Sequence, residues 1–203
     1  MPEVILFDLY GVIARTQTKH DKQGLVDLAQ VPADDFWQAY WECRPPYDAG
    51  QESVAYWAAV GERLGTTFAD VRALIDADLE SWSSVDDEMV ALVHALADSG
   101  RTLGLLSNII EDLVPVWESR HGDWLGRFAA RIYSCRIGVA KPDLRAYEIS
   151  AERLGVEPAK ILFIDDNQAN VDAARLAGMS AERFTSAAAL RSLLRFDVGP
   201  NAT

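Results

Sequence analysis

The chain is poor in the residues that form disulfide frameworks and zinc sites. Its 203 residues include two cysteines, Cys43 and Cys135, and three histidines. Two cysteines so far apart in sequence predict neither kind of site, and they favour a reducing compartment. Long apolar runs are also missing, since the first one, VILF, stops at Asp8 and is far shorter than the ~20 residues of a membrane span. We therefore expect a cytoplasmic protein.

Positive charge is scarce as well. The sequence has 19 Lys and Arg residues against 31 Asp and Glu residues, which gives a formal net charge of −12. Such a chain repels phosphate backbones and anionic lipid surfaces, so we expect no nucleic-acid partner and no membrane partner. Apolar residues make up 49% of the chain and charged residues 25%, which is the balance of a soluble globular protein.

Four short apolar runs predict buried strands. They cover residues 4–7, 103–106, 132–133 and 161–164, and each ends in polar residues. Helical patterns separate them. One runs from Met89 to Leu96 before Gly100. Another starts at Pro142 and Asp143 and ends at Gly155. Its expected apolar face consists of Leu144, Tyr147, Ala151 and Leu154. Strands alternating with helices predict a parallel α/β sheet.

Residues 16–84 differ from the rest of the chain. They show helical periodicity without buried strands, and they are rich in aromatic residues. We interpret residues 16–84 as a helical cap inserted into a core made of residues 1–15 and 85–203. Aromatic residues at helical spacing most often form the core of such a bundle. An aromatic-rich cap could also supply the surface of a homodimer.

The strand ends predict a site. In open parallel sheets the ligand crevice lies beyond the carboxyl ends of the strands, where Asp8, Ser107 and the pair Asp165 and Asp166 fall. Adjacent acids in a dry crevice need a cation, either a metal ion or a lysine such as Lys141. Oxygen-only ligands favour Mg²⁺. An aspartate held in this way can act as a nucleophile.

Four motifs in this order resemble those of the haloacid dehalogenase superfamily. They are FDLYGVI, LLSN, GVAKPDLRAYE and FIDDNQANVDAA. The resemblance covers essentially the whole chain, and it implies a Rossmann-like three-layer α/β core with an inserted α-helical cap. The third and fourth motifs are most similar to those of small-molecule phosphatases within the superfamily. This implies a hydrolase that acts on small phosphorylated metabolites.

The resemblance also assigns roles to residues. It implies that Asp8 attacks phosphorus to form an aspartyl-phosphate, which water then hydrolyses. Mg²⁺ would be bound by Asp8, the carbonyl of Tyr10 and Asp166, with Asp165 as a further ligand or close neighbour. Asn170 would order waters bound to the metal.

The substrate phosphoryl group is assigned to other residues. Ser107 and Asn108 would hold its oxygens, and Lys141 would stabilise the charge of the transition state. Arg15 is a further candidate for substrate binding. Neither Arg15 nor Arg44 lies in a motif typical of a substrate-binding arginine, so a surface position is the default expectation for both.

Tyr10 departs from the phosphatase pattern. Superfamily phosphatases usually carry an aspartate there, as the general acid and base, whereas the superfamily's L-2-haloacid dehalogenases carry a tyrosine. Displacing a halide needs no proton donor, so dehalogenase activity is one alternative. The acids Asp165 and Asp166 oppose it, because those dehalogenases use no metal and have a Ser-Ser-Asn sequence in the fourth motif. A second alternative is a protein that binds phosphorylated metabolites without turnover.

Overall fold

A five-stranded parallel sheet forms the centre of the computed structural model, which describes residues 2–196. The strands are β1 (Val4–Phe7), β2 (Thr102–Ser107), β3 (Ala130–Tyr133), β4 (Ile161–Asp165) and β5 (Ser180–Arg183). They are hydrogen-bonded in the order β3-β2-β1-β4-β5, and every neighbouring pair is parallel. The four strands expected from the apolar runs are confirmed, and so is the Rossmann-like α/β class.

Strand β5 has no counterpart among the apolar runs of the sequence. Only Ala181 among its four residues is buried. The strand lies at the edge of the sheet, where it pairs with β4 alone. An edge strand of this kind needs no continuous apolar run, so its sequence carries little of the signal that marks β1, β2 and β4.

Helices account for most of the remaining described residues. They are α1 (Lys19–Ala29), α2 (Ala33–Glu42), α3 (Arg44–Asp48), α4 (Ser53–Leu64), α5 (Val71–Ser81), α6 (Asp87–Asp98), α7 (Leu113–Leu125), α8 (Ser134–Ile137), α9 (Leu144–Leu154), α10 (Gln168–Leu176) and α11 (Ala187–Leu194). A short 3₁₀ helix spans Pro158–Lys160. Within residues 2–196, no helix is long and apolar enough to cross a membrane.

The sheet is covered on both faces, which gives three layers. Ile5 and Phe7 of β1 belong to an apolar cluster that includes side chains of α6 and α7. Val4 and Leu6 point to the other face, where a second cluster includes side chains of α9 and α10. Burial on both faces explains why β1 is a continuous apolar run rather than an alternating one.

The two helices singled out from the sequence are present. The apolar residues from Met89 to Leu96 are buried on one side of α6. Asp143 caps α9 by accepting a hydrogen bond from the Arg145 N–H, and Gly155 ends the helix with a φ of 69°. One detail is wrong: Leu144 is exposed, and the buried face of α9 begins at Ala146 and Tyr147.

Residues 16–84 contain helices α1–α5 and none of the five strands. The two connections to the rest of the chain run side by side. The N–H of Arg15 donates to the carbonyl of Ser84 (2.9 Å), and Ala14 forms an antiparallel bridge with Val85. The apolar side chains of α1–α5 are continuous with the cluster on one face of the sheet. The division into a separate cap and core therefore stays a prediction.

Aromatic side chains form the interior of the helices α2–α5. Phe36, Tyr40, Tyr56 and Trp57 have no measurable exposure. The ring of Tyr56 packs edge to face on those of Tyr40 and Trp57, which is a favourable arrangement for aromatic pairs. Trp41 is an exception, with 48% of its surface exposed.

Arg44 is buried among these rings, so the expectation of a surface position is wrong. Its Nε donates to Asp48 Oδ1 (2.8 Å), and its Nη1 donates to the hydroxyl of Tyr40. Its Nη1 also lies 3.9 Å from Asp78 Oδ2. The guanidinium packs against the rings of four aromatic residues: Tyr40, Trp41, Tyr47 and Trp82. Both acids and the rings together compensate for the loss of water around the charge.

We expect Arg44→Ala to destabilise the protein by about 3–5 kcal/mol, because it leaves Asp78 buried without its cation. The matched control is Arg72→Ala, which removes an exposed pair with Asp76 and should cost about 0–1 kcal/mol. Urea unfolding of both variants gives the two free energies. Equal losses would show that the buried charge cluster contributes no more than a surface ion pair.

Candidate active site

Strands β1 and β4 bring two acids together at the carboxyl edge of the sheet. Phe7 pairs with Ile164, so Asp8 and Asp165 follow at the same level of neighbouring strands. The N–H of Asp8 donates to the carbonyl of Ile164 (2.9 Å). The chain moves outward from β1 to β2 and β3 on one side and returns to β4 on the other, which makes the β1–β4 boundary a topological switch point. Such boundaries are where ligand crevices form in open α/β sheets.

The ammonium of Lys141 lies between these two acids. Its Nζ is 2.6 Å from Asp8 Oδ1 and 2.7 Å from Asp165 Oδ2. The Lys141 side chain is 1% exposed and passes over the ring of Phe163. Lys141 lies in the turn before α9 rather than in the helix. The prediction that Lys141 reaches the acids is consistent with this geometry.

Burial and mutual repulsion shape the charges of the site. Burial raises the pKa of Asp8, and the neighbouring charge of Asp165 raises it further, while Lys141 opposes both effects. Burial alone would lower the pKa of Lys141, but the two carboxylates outweigh it and hold that pKa above its ordinary value. Burial and the charge of Asp165 raise the pKa of Asp166. The site therefore holds more negative charge than Lys141 balances.

The two adjacent acids have different surroundings. Asp165 Oδ1 accepts hydrogen bonds from the Asn167 N–H (2.8 Å) and from Asn170 Nδ2 (3.1 Å). Its Oδ2 accepts from Lys141 Nζ (2.7 Å) and from Asn170 Nδ2 (3.0 Å). No other described residue donates a hydrogen bond to the side chain of Asp166, which is only partly buried. Asp166 is therefore the acid that is available to a cation.

Gly11 makes room for Asp166. A Cβ added at Gly11 would lie 2.3 Å from Asp166 Oδ2, and Gly11 has a φ of 81°, which favours glycine. The turn after Asp8 can therefore bring its backbone directly against the acid.

One oxygen each of Asp8, Asp165 and Asp166 lie within 4.8 Å of one another. Three carboxylates at this spacing form a group that could hold a metal ion. The donors are all oxygen atoms, which fits Mg²⁺. Asp166 is only partly buried, so one side of its carboxylate is open to a cation from solvent.

Ser107 and Asn108 follow β2 toward the same edge. Ser107 is fully buried, and its hydroxyl is 3.4 Å from the carbonyl of Asn108. The Asn108 side chain pairs with the backbone of Lys141: Oδ1 accepts from the Lys141 N–H (2.8 Å), and Nδ2 donates to its carbonyl (2.8 Å). This pairing was not anticipated, because nothing in the sequence signals a contact between residues on two separate loops.

Tyr10 is held by two tryptophans. Trp117 Nε1 donates to the hydroxyl of Tyr10 (3.0 Å), and the ring of Trp82 packs edge to face on Tyr10 with 5.0 Å between centroids. Burial raises the pKa of Tyr10 well above its ordinary value. The hydroxyl therefore stays neutral, and it cannot serve as a general base.

The predicted residues do not all meet. Asp8, Lys141, Asp165 and Asp166 converge, whereas Arg15 is exposed, and no described hydrogen bond or ion pair joins its side chain to the acids. Sequence reasoning missed Trp117 and Asn167. Asn167 follows the acid pair and caps α10, which is a local signal that could have found it. Trp117 has no such signal.

A family model described as haloacid dehalogenase-like hydrolase matches residues 2–178. The chain belongs to this family of hydrolases. The hydrolase is 25% identical over 196 residues to the sesquiterpene phosphatase astK of Aspergillus oryzae, and the match covers 96% of this chain and 95% of that protein.

Two solved structures share the fold of the hydrolase. An enzyme of the same family from Bacteroides thetaiotaomicron, in complex with magnesium and inorganic phosphate, has a TM-score of 0.73 and 17% identity over 91% of this chain and 95% of that chain. L-2-haloacid dehalogenase from Xanthobacter autotrophicus has a TM-score of 0.67 and 22% identity over 98% of this chain and 85% of that chain. At these identities the matches show the fold and not the reaction.

The excess negative charge leads to a stability prediction. In the presence of a chelator, we expect Asp8→Asn to unfold at a higher temperature than the wild type at pH 8. Burial raises the pKa of Asp8 to about 7, so a charged Asp8 destabilises the metal-free fold above that pH. The gain should shrink as pH falls through 7 toward 4, because Asp8 becomes protonated in the folded wild type.

Thermal unfolding from pH 5 to pH 8 measures this difference. Asp172→Asn, at an exposed site on α10, is the control and should show no comparable gain. A lower unfolding temperature for Asp8→Asn at pH 8 would mean that the ion pair with Lys141 outweighs the repulsion.

Proposed function

We propose that the protein is a Mg²⁺-dependent phosphatase that acts on small phosphorylated metabolites through an aspartyl-phosphate on Asp8. The observation that carries this proposal is the acid group: Asp8 is paired with Lys141, while the partly buried Asp166 receives no hydrogen bond from any other described residue and lies against the turn at Gly11. A nucleophile beside an unpaired acid suits a substrate whose oxygens share a divalent cation with the protein.

Asp8, Asp166 and the backbone carbonyl of Tyr10 would hold Mg²⁺. When bound, the metal would neutralise negative charge on the acids and on the phosphoryl oxygens. Asp165 is less suited to binding the metal directly, because both its oxygens already accept hydrogen bonds. Asn170 binds Asp165, and we assign it to ordering the acid pair and nearby waters.

The protein groups then account for the chemistry. An oxygen of Asp8 attacks phosphorus, a bond between that oxygen and phosphorus forms, and the bond to the leaving oxygen breaks. The leaving oxygen departs with the bonding electron pair and takes a proton from water. Lys141 is close enough to Asp8 to stabilise the charge on the transferred group. The N–H of Asn108, which has no acceptor among the described residues, and the hydroxyl of Ser107 would contact the phosphoryl oxygens. Water then attacks phosphorus, the bond from phosphorus to Asp8 breaks, and the water proton passes to solvent, which releases phosphate and restores the Asp8 carboxylate.

Tyr10 restricts the substrates of this phosphatase. A neutral hydroxyl that already binds Trp117 replaces the carboxylate that would protonate the leaving group. Loss of a general acid or base typically costs about 10²–10⁴ in rate. We therefore propose slow turnover of alkyl phosphates and faster turnover of esters with good leaving groups.

Dehalogenase activity is the second candidate, and Tyr10 is the observation that favours it. Two observations oppose it. Asp165 and Asp166 would repel the carboxylate of a 2-haloacid unless a cation were present. Arg44 could not readily bind that carboxylate either, because its guanidinium is already engaged by Asp48 and Tyr40. A binding protein without turnover would share the metal and phosphate contacts, so only kinetics can separate it from a phosphatase.

Phosphate release tests the proposed reaction. We expect wild-type protein with Mg²⁺ to release phosphate from aryl phosphates faster than from alkyl phosphates, and a chelator should abolish release. Asp8→Asn should remove the activity by at least about 10³-fold, because no other group can form the covalent intermediate. Halide release from 2-haloacids without metal would instead establish the dehalogenase, and phosphate binding without turnover would establish the binding protein.

Metal binding has a separate test. We expect saturating Mg²⁺ to stabilise the wild type by about 2.7 kcal/mol when its concentration is 100 times the dissociation constant. Asp166→Asn should lose most of this stabilisation. The control, Asp172→Asn, changes an exposed acid on the adjoining helix α10 and should keep it. Thermal unfolding with and without Mg²⁺ measures the effect, and an unchanged response of Asp166→Asn would exclude Asp166 as a ligand.

A further inference from the structure

The side chain of Asn108 and the backbone of Lys141 form a two-point contact. Both hydrogen bonds of the contact are 2.8 Å long, one in each direction. In the described part of the chain, the backbone of Lys141 makes no other hydrogen bond. The contact joins the loop after β2 to the turn before α9, so it crosses between two segments that meet at the site.

The turn that carries Lys141 depends on this contact. Its other described backbone hydrogen bonds are local ones, such as Gly138 N–H to the Ser134 carbonyl and Asp143 N–H to the Ala140 carbonyl. These bonds shape the turn but do not attach it to the sheet. Asn108, directly after β2, supplies the hydrogen bonds that hold the turn over the carboxyl edge.

The location of the turn controls the location of the ammonium. A lysine side chain has four rotatable carbon–carbon bonds and considerable rotamer entropy. The ammonium of Lys141 must nevertheless stay within 2.6–2.7 Å of both Asp8 and Asp165 in a buried site. Fixing the backbone of Lys141 prevents backbone movements that would carry the ammonium away from the two acids.

The same contact engages the Asn108 amide. Its Oδ1 accepts from the Lys141 N–H, and an amide oxygen is in any case unsuited to bind a phosphoryl anion. One N–H of its Nδ2 is used by the Lys141 carbonyl. The hydrogen bonds with Lys141 therefore set the orientation of the Asn108 side chain.

We propose that Asn108 is a positioning residue, whose side chain acts on the reaction by holding Lys141 beside Asp8 rather than by contacting the substrate. This inference rests on the proposed function for its kinetic test. The expectation that Asn108 helps to hold phosphoryl oxygens then falls to its backbone N–H, which remains compatible with the positioning role of the side chain.

A double-mutant cycle tests the proposal. We expect Asn108→Ala to lower kcat by about 10- to 100-fold with KM changed less than about 3-fold, because a misplaced stabilising group affects the transition state more than binding. Lys141→Met should lower kcat further. Adding Asn108→Ala to Lys141→Met should then change kcat by less than about 2-fold, since Asn108 acts through the ammonium. Equal effects of Asn108→Ala in both backgrounds would overturn the proposal and assign the Asn108 side chain to the substrate.

Ser134→Ala is the matched control. Ser134 Oγ accepts from the Ile109 N–H (2.9 Å), so it attaches the same loop after β2 to α8 without touching Lys141. We expect this variant to lose stability as Asn108→Ala does while keeping kcat within about 2-fold of the wild type, because the ammonium stays in place. A comparable fall in kcat would show that general loosening of the loop is sufficient.

A crystal structure of Asn108→Ala needs no turnover and separates this inference from the proposed function. We expect Lys141 Nζ to leave bonding distance of Asp8 in that structure. If the ammonium stays between Asp8 and Asp165, the positioning role is wrong even if the wild type is an active phosphatase. If no ester releases phosphate but the ammonium is displaced, the proposed function fails and the positioning role stands.

Discussion

The ammonium of Lys141 balances part of the negative charge of the acids at the carboxyl edge of the sheet. Asp8, Asp165 and Asp166 present oxygens within 4.8 Å of one another, and one lysine lies among them. Carboxylates so close together are costly to bury unless cations compensate for them. The surrounding structure creates this repulsion and also offsets part of it. The parallel pairing of β1 and β4 sets two acids side by side, whereas the start of α10 directs an N–H group at Asp165. The contact from the loop after β2 holds the backbone of Lys141.

The helical part of residues 16–84 adds little charge to this balance. Its buried arginine, Arg44, is engaged within the helices by Asp48, Tyr40 and the nearby Asp78. Tyr10 contacts this part of the chain through the ring of Trp82, and the two rings pack edge to face. The reactive charges therefore come from the sheet and its loops. The helical part contributes aromatic packing around Tyr10 through Trp82.

The sequence was sufficient for the parts of the fold that depend on local patterns. Continuous apolar runs predicted four of the five strands, and capping residues predicted α9, because both signals lie within a few neighbouring residues. Strand β5 escaped because one buried residue, Ala181, makes no pattern. The acids at the strand ends could be placed together because parallel strands share a carboxyl edge. The burial of Arg44 and the pairing of Asn108 could not be predicted. Their partners, Asp78 and Lys141, are more than 30 positions away and are brought near only by the tertiary fold.

Tyr10 favours the dehalogenase alternative, whereas the pair Asp165 and Asp166 favours the phosphatase. The surroundings of these residues bear on the choice between the two reactions. Tyr10 contacts both Trp117 and Trp82, so its ring is part of the packing between α7 and the residue that follows α5. A residue with that packing role could be retained whatever the reaction is. The acid Asp166 has no comparable packing role, because no other described residue donates a hydrogen bond to its side chain, and burial and the charge of Asp165 raise its pKa. An acid group of this kind is compatible with a metal site, and under the proposed function the cation would also bind phosphoryl oxygens.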